Sequence, residues 1–325
     1  MTGSSRRTGR TAMPSTRGHP IVVDAPMTLA PLLDELRQTL GTERPSGVAP
    51  TGIPGATFFW NDTPVPRSPL LYEPGMVIIG RGRKVGYLGG RRFQYDADSC
   101  LILGVPLPFE CEVQVPGESL LGVRVDIDMT LLGTLVARFG AQLDLGKGPV
   151  APPHSGVEPL AMQGELLAAT RRLLESVRDP VDRQVVGPAA LEEIVYRVLR
   201  SEHGRVLYDL TQHHTHYSAI SRALTRMHRD YRESLGIDDL AKDAGMSTSS
   251  FHRAFKAVTG ESPLQYLKKT RLLKAKAALI FEGARVDEAA YQVGYASPSQ
   301  FSREFKRYFQ VPPSEAHSLP YSDAV

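Results

Sequence analysis

The amino-acid sequence predicts a two-domain α+β protein, with a small β-barrel flanked by helices in the N-terminal part and an all-α domain at the C-terminal end. Three observations predict this class. The chain has 325 residues, enough for two hydrophobic cores. Short extended segments punctuated by Gly, Pro or Asp occupy residues 57–127. Residues 237–313 contain the same helix-turn-helix pattern twice.

The first segments are a leader, a helix and a loop. Residues 1–20 are rich in Arg, Ser, Thr and Gly, and we predict a disordered basic leader. Residues 26–40 are predicted to be a helix, because their leucines recur on one face. A loop rich in Gly and Pro is predicted at 41–55. The first folded domain is assigned to residues 21–150.

Strand candidates then follow at short, regular spacing. They are residues 57–60, 76–79, 84–88, 91–95, 99–103, 110–115 and 120–125. Such a series indicates a small barrel or sandwich, and a barrel of this size can hold one small ligand. The candidate ligand-lining residues are the aromatic residues and arginines Phe59, Trp60, Tyr72, Arg81, Tyr87, Tyr95 and Arg124. Each of them could equally be ordinary core or ordinary surface.

The chain has two cysteines, Cys100 and Cys111, on either side of a proline-containing corner at 105–108. They could meet across a hairpin and respond to oxidants or electrophiles. The alternative is that both are inert buried side chains. So few cysteines fit a reducing compartment and exclude a disulfide framework.

The motifs of common enzymes are missing from the sequence. No histidine occurs between His19 and His154, so the barrel lacks the clustered histidines that a metal would need. The run 80–83 lacks the third glycine and the following helix of a nucleotide fingerprint. The histidines at 213, 214 and 216 are too close together to converge on one ion, and we predict a solvated turn or helix start there. We therefore expect no enzyme, no metal and no cofactor.

Residues 151–217 are predicted to be a helical connector. Helices are expected at 128–139, 159–177 and 188–199, the last with an apolar stripe. That stripe could pack within the chain or pair with a second copy. Both interpretations stay open.

The C-terminal repeat is the strongest signal in the chain. Residues 237–245 correspond to 286–294 with a shift of 49 positions, and residues 251–256 correspond to 301–306 with a shift of 50. Each copy reads as a short helix, a turn through glycine, and a second amphipathic helix. The two units are predicted at about 237–258 and about 286–309. A rigid helix is predicted between them at 263–281, with Ser262 as N-cap and Pro263 as its first residue.

The second helix of each copy has one phenylalanine stripe and one polar face with cations. The predicted outward residues are Ser249, His252, Arg253 and Lys256 in the first copy, and Ser299, Ser302, Arg303 and Lys306 in the second. Arginine can bond guanine and lysine can neutralise a phosphate, so these faces could enter a DNA groove. The alternative is a solvated helix face. Two copies with matched cations favour DNA binding.

Charge is distributed unevenly. The net charge is +3, yet the chain from Ala219 onward has sixteen Lys and Arg against twelve Asp and Glu. A basic C-terminal end is consistent with nucleic-acid binding there.

The residues Gly294-Tyr295-Ala296-Ser297-Pro298-Ser299-Gln300-Phe301-Ser302-Arg303-Glu304-Phe305-Lys306, followed by residues 309–313, resemble the signature of the AraC/XylS family of bacterial transcription regulators. The resemblance covers residues 218–325 and implies seven helices with two helix-turn-helix units joined by a long helix. Carried over by position, it implies base-reading sites at Ser249, His252, Arg253, Pro298, Ser299, Gln300, Ser302 and Arg303. Proline offers no side-chain hydrogen bond, so Pro298 more plausibly starts the helix.

Three segments resemble the N-terminal domain of one AraC subgroup, which is similar to cupins. They are the segment at 71–75, the turn at 89–90 and the corner at 105–108. This resemblance implies a cupin-like barrel that senses an effector.

Together these observations predict a cytoplasmic, sequence-specific transcription regulator, with activator behaviour, controlled by a small-molecule or redox signal. The expected partners are double-stranded promoter DNA, RNA polymerase and an unidentified small-molecule effector. A second copy of the chain joins them if the apolar stripe of the connector pairs between chains. No membrane is expected, because the sequence lacks a run of about eighteen apolar residues and a secretory signal. The alternatives are a cupin-like enzyme with a fused helical domain, and an adaptor whose helices bind protein.

Overall fold

The structure is a computed structural model that describes residues 1, 28–41, 43–115, 117–143, 155–212 and 215–319. Almost all of the predicted basic leader, and two of the clustered histidines, lie outside the described residues. The described chain forms a curled antiparallel sheet with covering helices, followed by a helical domain. This is the predicted two-domain α+β class.

Ten strands build the sheet. They are β1 Ser46–Pro50, β2 Ala56–Asn61, β3 Val65–Tyr72, β4 Gly75–Arg81, β5 Arg83–Leu88, β6 Arg91–Asp96, β7 Ser99–Leu103, β8 Leu107–Gln114, β9 Leu120–Asp126 and β10 Val157–Ala161. Their order is β1-β2-β9-β4-β7-β6-β5-β8-β3, with β10 paired to β7. The described pairings are antiparallel, and the curled sheet is a half-barrel with an inner and an outer face.

Successive side chains of a strand point to opposite faces of this sheet. In β2, Phe59 belongs to the inner cluster, whereas Phe58 and Trp60 belong to the outer one. In β4, Val77 lies inside and Ile78 outside. Because both faces are covered, these strands read in the sequence as continuous apolar runs rather than as alternating ones.

Helices cover the outer face. They are α1 Ala30–Thr39, α2 Met129–Phe139, α3 Gly164–Ser176, α4 Pro180–Leu199 and α5 Gly204–Thr211. Asp128 and Asp179 cap α2 and α4 by accepting hydrogen bonds from backbone N–H groups of the first turn. Among the described residues, no helix is long and apolar enough to cross a membrane.

Two helix predictions in the connector are wrong in extent. The predicted helix at 159–177 is divided, because Val157 to Ala161 pair with β7 as β10 and the helix begins only at Gly164. The predicted helix at 188–199 begins at Pro180, where Asp179 provides the cap, so Pro188 lies inside α4 and does not start it.

Two strands were missed by the sequence prediction because prolines mark them as loop. β1 lies within the predicted loop at 41–55, and β3 contains Pro66 and Pro69. Both are edge strands of the sheet. Proline is tolerated in an edge strand, because one side of the strand has no neighbour that needs its N–H group. The predicted strand at 110–115 likewise begins earlier, at Leu107.

The C-terminal domain has the predicted tandem layout. Its helices are α6 His216–Arg229, α7 Ile237–Asp243, α8 Thr248–Thr259, α9 Pro263–Ala277, α10 Val286–Gln292 and α11 Pro298–Phe309. A π-helical turn, Ala278–Glu282, extends α9, and a 3-10 turn, Pro313–Ser318, follows α11. Pairs α7–α8 and α10–α11 are the two helix-turn-helix units, and α9 joins them as the rigid helix expected at 263–281.

Candidate nucleic-acid interface and barrel interior

The first recognition helix, α8, presents its polar face to solvent. Ser247 accepts a hydrogen bond from the backbone N–H of Ser250 at 3.3 Å and starts the helix there. Phe251, Phe255 and Val258 are then fully buried. The opposite face is exposed and contains Ser249, His252, Arg253 and Lys256. These are the four residues that the sequence predicts for this face.

The second recognition helix, α11, repeats this arrangement. Pro298 is its first residue, as its residue type suggests, and Phe301 and Phe305 are fully buried. Ser299, Gln300, Arg303 and Lys306 are exposed, whereas Ser302 is half-buried. The Gln300 amide donates to Glu304 Oε1 at 3.1 Å, and Glu304 also binds Lys268 and Tyr295. Gln300 is therefore the most restrained side chain of this face.

Among the residues that the structure describes, no acidic side chain forms an ion pair with the cations of either face. Within the described residues, the side chains of His252, Lys256, Arg303 and Lys306 make neither a hydrogen bond nor an ion pair, and Arg253 makes one contact of 3.5 Å to Ser250 Oγ. Exposed cations that lack such a partner can neutralise phosphates without first breaking an internal ion pair.

The barrel interior contains a buried polar group that the sequence prediction missed. Lys84 on β5 is 1% exposed and lies among aromatic rings, with Nζ 5.0 Å from the ring centre of Phe59. Its Nζ is 3.5 Å from Tyr72 Oη, which is 2.9 Å from Tyr95 Oη. Tyr95 Oη is in turn 3.5 Å from Cys111 Sγ. Strand alternation puts Lys84 on the same face of β5 as Leu88, and only the structure shows that this face is the inner one.

Burial sets the protonation of this cluster. Loss of water lowers the pKa of the Lys84 amine, although the nearby Cys111 acts in the opposite direction. Burial also raises the pKa of Tyr72 and of Tyr95 well above the ordinary phenol value. The phenols therefore stay neutral, and no described carboxylate forms an ion pair with Lys84.

The seven predicted ligand-lining residues do not converge. Phe59, Tyr72 and Tyr95 lie in the interior, but Trp60 is on the outer face and donates to the Arg44 carbonyl at 2.8 Å. The other three are engaged with acidic residues nearer the surface: Arg81 with Asp34 of α1, Tyr87 with Glu112, and Arg124 with Asp126.

Of the two alternatives for the cysteines, the one in which Cys100 and Cys111 meet across a hairpin is wrong. β7 and β8 do not pair with each other, because β8 pairs with β5 and β3. Cys100 belongs to the outer cluster and Cys111 to the inner one, and both thiols are free. Burial raises the pKa of Cys100 to about 12, which suppresses the reactive thiolate.

A hydrogen-bonded pair of side chains links the two domains. Tyr266 of α9 donates its hydroxyl proton to the Pro106 carbonyl at 2.7 Å, so it accepts from His228 Nε2 of α6 at 2.6 Å. Burial, with a smaller contribution from Lys274, lowers the pKa of His228 to about 4. At neutral pH the imidazole is therefore uncharged, and it carries its proton on Nε2 to make this contact.

Replacing Lys84 by Met should stabilise the fold. The substitution removes an amine buried without a carboxylate, and we expect the free energy of unfolding at about pH 7 to rise by about 1 kcal/mol or more. The folded pKa of Lys84 is lowered. Between that pKa and the unfolded value, the unfolded chain therefore binds an extra proton and wild-type stability rises with pH. In urea unfolding, the stability advantage of Lys84→Met over the wild type should be smaller at about pH 10 than at about pH 7. The exposed Lys242→Met variant is the control and should change the free energy of unfolding little at either pH.

Protonation of His228 should destabilise the protein in mild acid. Its folded pKa, about 4, lies below the unfolded value of 6.5, so stability is complete above about 6.5 and is lost as the pH falls towards 4. His228→Gln keeps a donor for Tyr266 but cannot titrate. In urea unfolding over this pH range, the wild type should lose more stability than the variant; parallel curves would contradict the assignment.

The geometry defines a class: a half-barrel joined to tandem helix-turn-helix units with exposed cationic recognition helices. Residues 52–206 match the family model of the AraC-type transcriptional regulator N-terminus, and residues 240–318 match a helix-turn-helix domain model. An AraC-like transcription regulator of Streptomyces lividans is 38% identical over 101 residues, which cover 31% of this chain and 33% of that protein. The transposon Tn10 TetD protein of Escherichia coli is 36% identical over 107 residues, 33% of this chain and 76% of that protein. The chain belongs to the AraC/XylS family.

The alignments cover only 33–34% of the length of the first three curated relatives, and they fall in one third of this chain. Among solved structures, ToxT of Vibrio cholerae bound to (E)-4-(8-methylnaphthalen-1-yl)but-3-enoic acid matches 85% of this chain and 99% of its own. Its TM-score is 0.53 at 13% identity, so the likeness establishes the fold.

Proposed function

We propose that this protein is a sequence-specific DNA-binding transcription regulator whose N-terminal domain receives a small-molecule signal. The observation that carries the proposal is the duplicated recognition helix. Both copies bury their phenylalanines and expose cations that have no ion-pair partner in the described part of the chain. We assign the sensor to residues 21–150, the connector to 151–217 and DNA binding to 218–325.

In this proposal α9 holds the two recognition helices so that they enter successive major grooves, about 34 Å apart for one helical turn. Arg253 and Arg303 bond base edges, assisted by Ser249, His252, Ser299, Gln300 and Ser302, and Lys256 and Lys306 neutralise phosphates. Pro298 starts its helix and reads no base.

The effector is proposed to be a small molecule with an acidic group, bound in the barrel. The interior offers Lys84, a buried cation with Tyr72 and Tyr95 beside it, and such an amine is best compensated by an anion. The ToxT structure contains a butenoic acid, which is consistent with this class of ligand. A redox signal has less support, because the two thiols lie on opposite faces of the sheet.

The remaining partners follow from the class of protein. A regulator of this kind acts in the cytoplasm on promoter DNA, with RNA polymerase as the second macromolecule and a second copy of the chain to raise DNA affinity. The N-terminal family model and the Streptomyces lividans relative are both described as transcription regulators, which supports a non-enzymatic role.

The test is a gel-shift titration of the full chain against the DNA upstream of its own gene, with a random duplex of equal length as the control. We expect preferential binding of the upstream duplex, weakening linearly with the logarithm of salt concentration. Equal binding to both duplexes would show that the protein binds DNA without sequence specificity. No binding to either would favour the protein adaptor.

A further inference from the structure

The two recognition helices end in the same backbone conformation but with different residues. Gly260 follows α8 with φ of +79°, and Gln310 follows α11 with φ of +65°. These positions correspond in the repeat. Gln310 is exposed and its amide donates to the Arg307 carbonyl at 2.7 Å. A side chain is therefore compatible with this left-handed cap. Glycine is the residue that such a cap favours, and at 260 a contact from outside the helix adds a second requirement for it.

That second requirement is the approach of the barrel. Gly260 lies against Gly89, in the turn between β5 and β6. A Cβ added to Gly260 would be 3.1 Å from Gly89 Cα, and a Cβ added to Gly89 would be 3.0 Å from Gly260 Cα. These are contacts with backbone, which cannot rotate away as a side chain can. The adjacent Gly90 also has positive φ, at +84°, but has nothing within 4 Å of its added Cβ.

Two hydrogen bonds reinforce the same junction. The backbone N–H of Gly156, just before β10, donates to the Val258 carbonyl at 2.8 Å. Val258 is in the last turn of α8, whose carbonyls lack partners within the helix. Tyr266 donates to the Pro106 carbonyl at 2.7 Å. The barrel thus supplies part of the C-terminal cap of the first recognition helix.

The second unit is anchored differently. The core of the first unit, including Phe251 and Phe255, belongs to one hydrophobic cluster with the barrel interior. The core of the second unit, including Phe301 and Phe305, forms a separate cluster in which the described barrel contributes only the partly buried Leu71.

We propose that Gly89 and Gly260 are positioning residues through which the barrel sets the placement of the first helix-turn-helix unit on DNA. The second unit is placed by α9, which joins it to the first unit. Docking at the C-terminal cap leaves Arg253 and Lys256 exposed, so it is compatible with DNA binding. A change in the barrel then reaches DNA through the first unit. This inference rests on the proposed function.

The test is hydroxyl-radical footprinting of the full chain on the bound upstream duplex. The variants Arg253→Ala and Arg303→Ala assign the two half-sites to their units. Gly89→Ala should weaken protection of the first unit's half-site about five-fold or more, because it forces two backbones apart, and should leave the other half-site unchanged. Gly90→Ala introduces the same positive-φ strain but meets open space, so it is the matched control and should leave both half-sites unchanged.

A second measurement covers the case in which Gly89→Ala is poorly folded. Tyr266→Phe keeps the ring in the core and removes only the hydroxyl, and it should produce a smaller loss confined to the same half-site. Gly89→Ala and Gly260→Ala separate the same two backbones. The double variant should therefore lose less protection of the first unit's half-site than the product of the two single losses. Equal losses at both half-sites, or identical behaviour of the Gly89 and Gly90 variants, would overturn the inference.

Hydrogen exchange in DNA-free protein separates this inference from the proposed function. Gly89→Ala should accelerate amide exchange at residues 256–261 relative to Gly90→Ala, with no change at 306–311. A wild type that binds no DNA refutes the proposed function, whereas unchanged exchange at 256–261 refutes the docking itself.

Discussion

Phe255→Ala should destabilise the barrel as well as the helix-turn-helix unit that contains the residue. Phe255 is fully buried in the cluster that continues into the barrel interior, and truncation of such a ring costs about 3–5 kcal/mol. Phe305 is the matched position of the repeat, equally buried but in the separate cluster of the second unit. Phe305→Ala should therefore cost a similar amount without weakening the barrel.

The chain itself contains the probe for this comparison. Trp60 is its single tryptophan and is buried in the outer face of the sheet. Its fluorescence during thermal or urea unfolding reports on the barrel. The Trp60 transition should move to lower temperature in Phe255→Ala and stay near the wild-type value in Phe305→Ala. Equal shifts in both variants would show that the two helix-turn-helix units are equally coupled to the barrel.

Arg253→Ala should weaken binding of the preferred duplex by about 1–3 kcal/mol, roughly ten-fold to a hundred-fold, and relax the preference at one base pair. The side chain is exposed at the centre of the polar face of α8 and has one weak internal contact to lose. Lys256→Ala should instead weaken all duplexes alike and reduce the salt dependence by about one phosphate contact.

Gel-shift titrations on the upstream duplex, on single-base variants of it and on random DNA distinguish these two effects. Ala257 of the same helix is exposed, and Ala257→Ser is a control that adds a polar group without charge. If Arg253→Ala lost affinity equally for the upstream and the random duplex, the residue would contact phosphate, not a base.

The helix-turn-helix units could be predicted because their determinants are local. The phenylalanine spacing, the Ser caps and the turn glycines all act within about four residues of one another. Each of these features occurs in both copies of the repeat. The outward faces of α8 and α11 follow from the same spacing, since burying one stripe of a helix exposes the other.

The barrel was less predictable because its determinants are distant in sequence. β3 contains prolines that indicate a loop, and only its place at the sheet edge makes them tolerable. β10 reads as part of a helix until β7 is known to lie beside it. The candidate effector residues are scattered because strand order, which the sequence does not state, decides which side chains meet.

By itself, then, the sequence determined the class of protein, the tandem helices and the faces they expose, because helix periodicity and capping are short-range properties. Only the tertiary structure decided that Lys84 is buried beside Tyr72, that the two cysteines are apart, and that the barrel touches the first unit at Gly260. Those contacts join residues about a hundred or more positions apart, or depend on which face of a curled sheet is inside, and such pairings arise from packing rather than from local pattern.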